Sequence, residues 1–141
     1  MPLINFGSIM NFAEELESRD EQFYAAALNN SESASHQTVF EQILSDCTKN
    51  KKNIQRARRE NVTEMILENI SGFERAPFVV DAGDPAGMNS QQLLEMAGKL
   101  EERAERYYLE AAEKIKALAE VARILKLVAK KRTAHRNSLA G

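Results

Sequence analysis

The sequence predicts an all-α protein: one domain of four helices, arranged as two helix pairs with a long crossover between the second and the third. Three observations predict it. Leu100-Glu-Glu-Arg-Ala-Glu-Arg-Tyr-Tyr-Leu-Glu-Ala111 has an edited copy 84 residues earlier, Leu16-Glu-Ser-Arg-Asp-Glu-Gln-Phe-Tyr-Ala-Ala-Ala27, with six of twelve positions identical, so two related helical halves are expected. Apolar residues recur at three- and four-residue steps through most of the chain, the period of a helix with one buried face. Between the halves, Phe73 to Asn89 drops that period and carries Pro77, Gly83, Pro85 and Gly87. Neighbouring antiparallel helices need only a few linking residues, so this length suits a crossover to the other end of the bundle.

The first helix is expected over about 8–28, capped by Ser8 or Asn11, with Ile9, Ala13, Leu16, Asp20, Phe23, Tyr24 and Ala27 facing inward. Asn29-Asn30-Ser-Glu-Ser ends it. Ser33 or Ser35 opens a second helix over about 34–71, in which Val39, Phe40, Ile43, Leu44, Cys47, Asn50, Ile54 and Ala57 keep the period and Val62, Met65, Ile66 and Ile70 continue it. That helix also carries Lys49, Lys51, Lys52, Arg56, Arg58 and Arg59, which read either as a solvated face or as a docking patch for an acidic partner. After the crossover at 73–89, Asn89 or Ser90 caps a third helix over about 90–116. The fourth, over about 118–139, holds Leu118, Val121, Leu125, Val128, Arg132, His135 and Leu139 at helical steps, only a short turn or kink from the third.

Two acids stand out against this pattern. Positions 13, 16, 17, 20, 24 and 27 form one helical stripe, as do 97, 100, 101, 104, 108 and 111, which places Glu17 and Glu101 among aromatic and small residues. A carboxylate on a buried stripe needs a partner. Tyr24 and Tyr108 read as packing aromatics with hydrogen-bonded hydroxyls, and Cys47 as a small buried filler. His36 lies 14 residues before Asn50, about 21 Å along a helix at ~1.5 Å per residue, too far to join them.

Composition narrows the function classes. With 141 residues and 43% hydrophobic content, the chain suits a single substantial core. A net charge of −2 gives no general attraction to nucleic acid or anionic lipid. The lone Cys47 excludes an internal disulfide, and no apolar run approaches the roughly 20 residues that cross a bilayer. The N-terminal Met-Pro-Leu-Ile-Asn-Phe-Gly lacks a basic region followed by an apolar one, so a soluble cytoplasmic protein is expected.

These features resemble the rubrerythrin-like branch of the ferritin-like superfamily. In that family each half supplies a helix with a glutamate followed seven residues later by a tyrosine, then a helix with Glu-x-x-His. Here Glu17 leads to Phe23-Tyr24 and Glu101 to Tyr107-Tyr108, and the crossover falls where the family has it. The resemblance spans nearly the whole chain and implies a carboxylate-bridged di-iron centre built from four acids and two histidines.

The sequence departs from that ligand set. Aligning Phe40 with Leu125 and Ile54 with Leu139 puts Cys47-Thr-Lys-Asn50 and Arg132-Thr-Ala-His135 where the two Glu-x-x-His motifs belong. Of the six ligand positions only Glu17, Glu101 and His135 keep a ligand, and Asp46, the nearby acid of the second helix, points off the inner stripe. Two divalent ions need several anionic oxygens, and a guanidinium cannot deprotonate to make room for them. Arg132 is instead expected to stand in for the metal as the counter-charge of a polar core network of Glu17, Glu101, Arg132, His135, Cys47 and Asn50.

Three functions follow as expectations. The first is a non-catalytic bundle with a degenerate di-metal centre and no cofactor, in a structural or interaction role, and homodimeric through Val62, Met65, Ile66 and Ile70. A second is an iron- or manganese-binding oxidoreductase or iron-handling protein using Glu17, Glu101 and His135 as metal ligands. With no Cys-x-x-Cys pair for a rubredoxin-like domain, such an enzyme would draw electrons from another protein. The third is a module that binds a small anion or apolar ligand in the residual central cavity.

Overall fold

Asn5 opens the first helix by accepting a hydrogen bond from the Ser8 amide at 2.8 Å, while Ser8 Oγ accepts one from the Asn5 amide at 3.2 Å. This reciprocal box satisfies two amides that the first turn leaves without partners. It starts the helix earlier than the expected Ser8 or Asn11, because Ser8 fills the third helical position of the box instead of the cap. The computed structural model describes residues 3, 5–61, 70 and 72–140, and its helices are α1 (Phe6–Leu28), α2 (Gln37–Glu60), α3 (Ser90–Lys114) and α4 (Ala119–Ala140). The described residues form an all-α four-helix bundle.

Between α1 and α2 the chain makes a 3₁₀ turn, Ser31–His36. The Asn30 side-chain amide of this connection donates to the carbonyls of Pro85 and Met88 at 2.9 and 2.8 Å, which ties it to the approach of α3. The continuous second helix expected to residue 71 is corrected: α2 stops at Glu60, where the Asn61 side chain donates to the Ala57 carbonyl at 2.8 Å. An asparagine side chain that takes a carbonyl of the last turn competes with further helical bonding. Val62, Met65 and Ile66 lie outside the described residues, and Ile70 packs against the core.

The connection ahead of α3 is anchored by its aromatics. Phe73 stacks on Tyr107 with centroids 5.5 Å apart, and Phe78 meets the same ring edge-on at 5.2 Å. Gly72 and Gly83 take positive φ values of 74° and 67°, which glycine adopts without a steric penalty. Asn89 then caps α3 in a second reciprocal box with Gln92. Asn89→Ala is expected to cost about 1 kcal/mol, seen as a lower midpoint in thermal unfolding followed by circular dichroism.

Helix α1 packs along α2, and α3 along α4; the pairs meet through α2 with α4 and, less extensively, α1 with α3. Two apolar clusters fill the interior. One contains Ile9, Met10, Tyr107, Ile115 and Leu125, and the other Phe23, Phe40, Ile43, Leu93 and Ala97. No described helix is long and apolar enough to cross a membrane.

Candidate functional site

The inner stripes bring one glutamate from each half into the bundle interior, as their periodicity requires. Glu17 on α1 and Glu101 on α3 are both fully buried, and so is Arg132 on α4. The guanidinium bridges the acids: Nη2 donates to Glu17 Oε2 at 2.7 Å and Nη1 to Glu101 Oε2 at 2.6 Å. One planar, permanently charged fork thus engages two helices at once.

The tyrosines complete the exchange between halves. Tyr24 of α1 donates to Glu101 Oε2 at 2.8 Å, and Tyr108 of α3 donates to Glu17 Oε2 at 2.5 Å. Each half therefore satisfies the carboxylate of the other. Burial, reinforced by the adjacent carboxylates, pushes both phenols well above their usual range, so they stay protonated as donors.

Within each half the second helix supplies one further contact. Asn50 Nδ2 reaches Glu17 Oε1 at 3.3 Å, and His135 Nδ1 reaches Glu101 Oε1 at 2.7 Å. His135 Nε2 lies 2.7 Å from Asp46 Oδ2. That corrects the expectation for Asp46. It sits at the edge of the stripe on α2, yet the imidazole extends from α4 far enough to meet it. Burial disfavours the charged imidazole, but Glu101 and then Asp46 outweigh this and raise His135 above its ordinary value. Burial likewise opposes ionisation of Glu101, and Arg132 and His135 together hold it below the usual carboxylate range.

Cys47 occupies the position on α2 that Arg132 occupies on α4. It packs with Phe40 and Ile43, and burial pushes its thiol well up, so it is a protonated filler beside the charges and not a nucleophile.

Two further members of the layer have partners that the sequence pattern does not identify. Asp20, one turn beyond Glu17 on α1, accepts from Arg103 Nη2 at 2.5 Å through Oδ1. Its Oδ2 lies 3.0 Å from Arg132 Nη1 but outside hydrogen-bonding alignment. Arg103 also donates to the Phe78 carbonyl at 3.2 Å, which links the layer to the long connection. Burial, aided by Glu101 and Glu17 and opposed by Arg132 and Arg103, pushes Asp20 up to about 7. The inner-stripe position of Asp20 is the available signal; Arg103 has none, since its repeat mate Arg19 is half exposed in a surface pair with Glu15.

A second, outer pair of contacts repeats between the halves. Thr48 and Lys51 on α2 both hold Glu21 of α1, at 2.5 and 2.9 Å. Thr133 and Arg136 on α4 hold Glu105 of α3 in the same way, the arginine at 2.6 Å. The alignment that pairs Cys47 with Arg132 also pairs Thr48 with Thr133 and Lys51 with Arg136, so the signal is present in the sequence.

This donor set does not fit iron or manganese. Glu17 Oε2 and Glu101 Oε2 each serve a tyrosine and Arg132, Glu101 Oε1 serves His135, and both His135 nitrogens face carboxylates. Among the described residues, no group of three or more His, Cys, Asp and Glu side chains is placed to hold a metal ion. What the layer can do chemically is balance charge: three buried acids face two guanidiniums and an imidazole. Comparisons with known protein families, with curated proteins and with solved structures find no match to this chain.

Proposed function

We propose that this chain is a ferritin-like, rubrerythrin-related bundle whose di-metal centre has given way to an ion layer, and that its role is structural or interaction-based and not catalytic. The single observation behind this reading is the Arg132 guanidinium, held between Glu17 and Glu101 at 2.7 and 2.6 Å. A fixed cation there supplies the counter-charge that metal ions provide in such bundles. Helix adjacency supports the fold assignment: α1 lies beside α2, α2 beside α4 and α4 beside α3, an order in which a link from α2 to α3 joins helices that are not neighbours, as a crossover requires.

Elemental analysis of protein purified without chelator tests the proposal. Wild type is expected to carry far less than one equivalent of iron or manganese. Arg132→Glu recreates one Glu-x-x-His motif with His135 and is expected to gain stability from added divalent metal. Near-stoichiometric metal in wild type, lost on Glu101→Ala, would overturn the proposal in favour of a mononuclear metal protein using Glu17, Glu101 and His135.

A further inference from the structure

The cations of α2 are not all spent on a solvated face. Lys51 pairs with Glu21 at 2.9 Å and Arg58 with Glu14 at 3.7 Å. Arg56, by contrast, donates to the Asn53 side chain at 3.0 Å and lines a groove of about 700 Å³ between α2 and α4. On the α4 side, Ile124, Leu127 and Val128 give this groove an apolar wall, and Leu127 is 49% exposed. Lys130 and Lys131 flank that wall, and among the described residues neither they nor Arg56 forms an ion pair. The two acids of the lining are Glu60 and Glu120, and Glu120 is already engaged by Arg123 at 2.6 Å. In a chain of net charge −2, the groove is a local cationic surplus around an apolar stripe.

A buried polar atom is also left over there. Asn50, 1% exposed, lines the groove with its Nδ2 committed to Glu17 and its Oδ1 without a hydrogen-bond partner.

We propose that the groove between α2 and α4 docks an acidic amphipathic helix of a partner protein. Lining residues run from Asn50 to Glu60 on one wall and from Glu120 to Ala134 on the other, about 15 to 20 Å at ~1.5 Å per residue, the length of roughly three helical turns. A helix laid in such a groove presents apolar anchors at three- and four-residue steps to Ile124, Leu127 and Val128. Its flanking carboxylates meet Arg56, Lys130 and Lys131. The concave, apolar-walled shape fits a helix better than a flat lipid surface, and a phosphate backbone would engage the cations but leave Ile124 and Leu127 without an apolar partner.

This inference rests on the interaction role proposed above, and its test is separate from metal content. The probe is a fluorescently labelled designed helix of about 15 residues, with leucines at helical spacing and glutamates on both flanks, followed by anisotropy; a second probe carries lysines in place of the glutamates. The acidic helix is expected to bind, with affinity falling roughly tenfold or more on raising the salt from about 0.05 to about 0.3 M. Exposed-site variants Leu127→Asp and Lys130→Glu, verified as folded by circular dichroism, are each expected to weaken it by roughly tenfold or more. Equal binding of the lysine probe, or binding indifferent to Leu127→Asp, overturns the proposal. So does absence of peptide binding together with self-association that Leu127→Asp abolishes, since a second copy then fills the groove. Failure of peptide binding in metal-free protein leaves the ion-layer reading standing, whereas resident metal sinks that reading whatever the peptide does.

Discussion

Arg132→Ala is expected to lower the unfolding free energy by about 3–5 kcal/mol, more than any other single substitution in the layer. The guanidinium has no access to solvent and, among the described residues, is the one group hydrogen-bonded to both Glu17 and Glu101. Its loss leaves two carboxylates, with Asp20 close by, in a dry interior. Part of the damage would come from the cavity, so Arg132→Met separates the causes by refilling volume without charge. If charge compensation dominates, Arg132→Met stays strongly destabilised, and adding Glu17→Gln and Glu101→Gln recovers most of the loss, because buried ion sets can often be replaced by neutral groups at little cost. Arg19→Ala, at a half-exposed surface pair, is the matched control and should stay within about 1 kcal/mol. Urea denaturation followed by circular dichroism measures all of these. An Arg132→Met protein as stable as wild type would show that the layer does not depend on the cation.

The second large effect is on pH dependence. Asp20 is raised from 3.8 to about 7 in the fold, first by burial, so the folded state binds its proton more tightly than the unfolded chain does. Stability from this group is therefore present at low pH and lost as pH rises from about 4 to about 7. His135, raised above 6.5, adds stability that is full below 6.5 and lost as pH rises through its folded value. Glu101 and Asp46, both held low, act in the opposite sense: their contributions are present above the ordinary carboxylate range and disappear in stronger acid. The maximum is accordingly expected near pH 5, with a decline of a few kcal/mol by pH 8, since each tenfold difference in proton affinity between folded and unfolded chain is worth about 1.4 kcal/mol. Asp20→Asn keeps an acceptor for Arg103 and should remove most of that decline. Greater stability at pH 8 than at pH 5, or an unchanged slope in Asp20→Asn, would contradict the assignment.

The all-α architecture is legible in the sequence because its signals are local. Three-residue and four-residue steps of apolar residues and the Asn89 cap act within a turn or two, and the repeat makes Glu17 and Glu101 stand out together. Arg132 and His135 follow from alignment of the halves. What stays hidden depends on contacts across the fold. Arg19 and Arg103 are identical repeat mates, yet one lies on the surface and the other in the core, because only the second meets Asp20 and the Phe78 carbonyl. A helical stripe says where a side chain starts and not how far its partner extends, which is why periodicity alone separates Asp46 from His135. The end of α2 at Asn61 turns on one side-chain hydrogen bond, too small a signal to outweigh an apolar period that continues beyond it.

The crossed bonds from Tyr24 to Glu101 and from Tyr108 to Glu17 carry a symmetry consequence. Two separate copies of one helix pair, related by a twofold axis, could make the same exchange, since each copy would offer its tyrosine to the other's glutamate. They could not make the centre. In a homodimer of halves every side chain occurs twice, so an arginine at this position would bring two guanidiniums to the same two carboxylates. Halves that differ in sequence, here joined in one chain, can place Arg132 on one side and Cys47 on the other. A single cation shared by the twin glutamates is an arrangement open to two unequal halves and closed to a symmetric pair of identical ones.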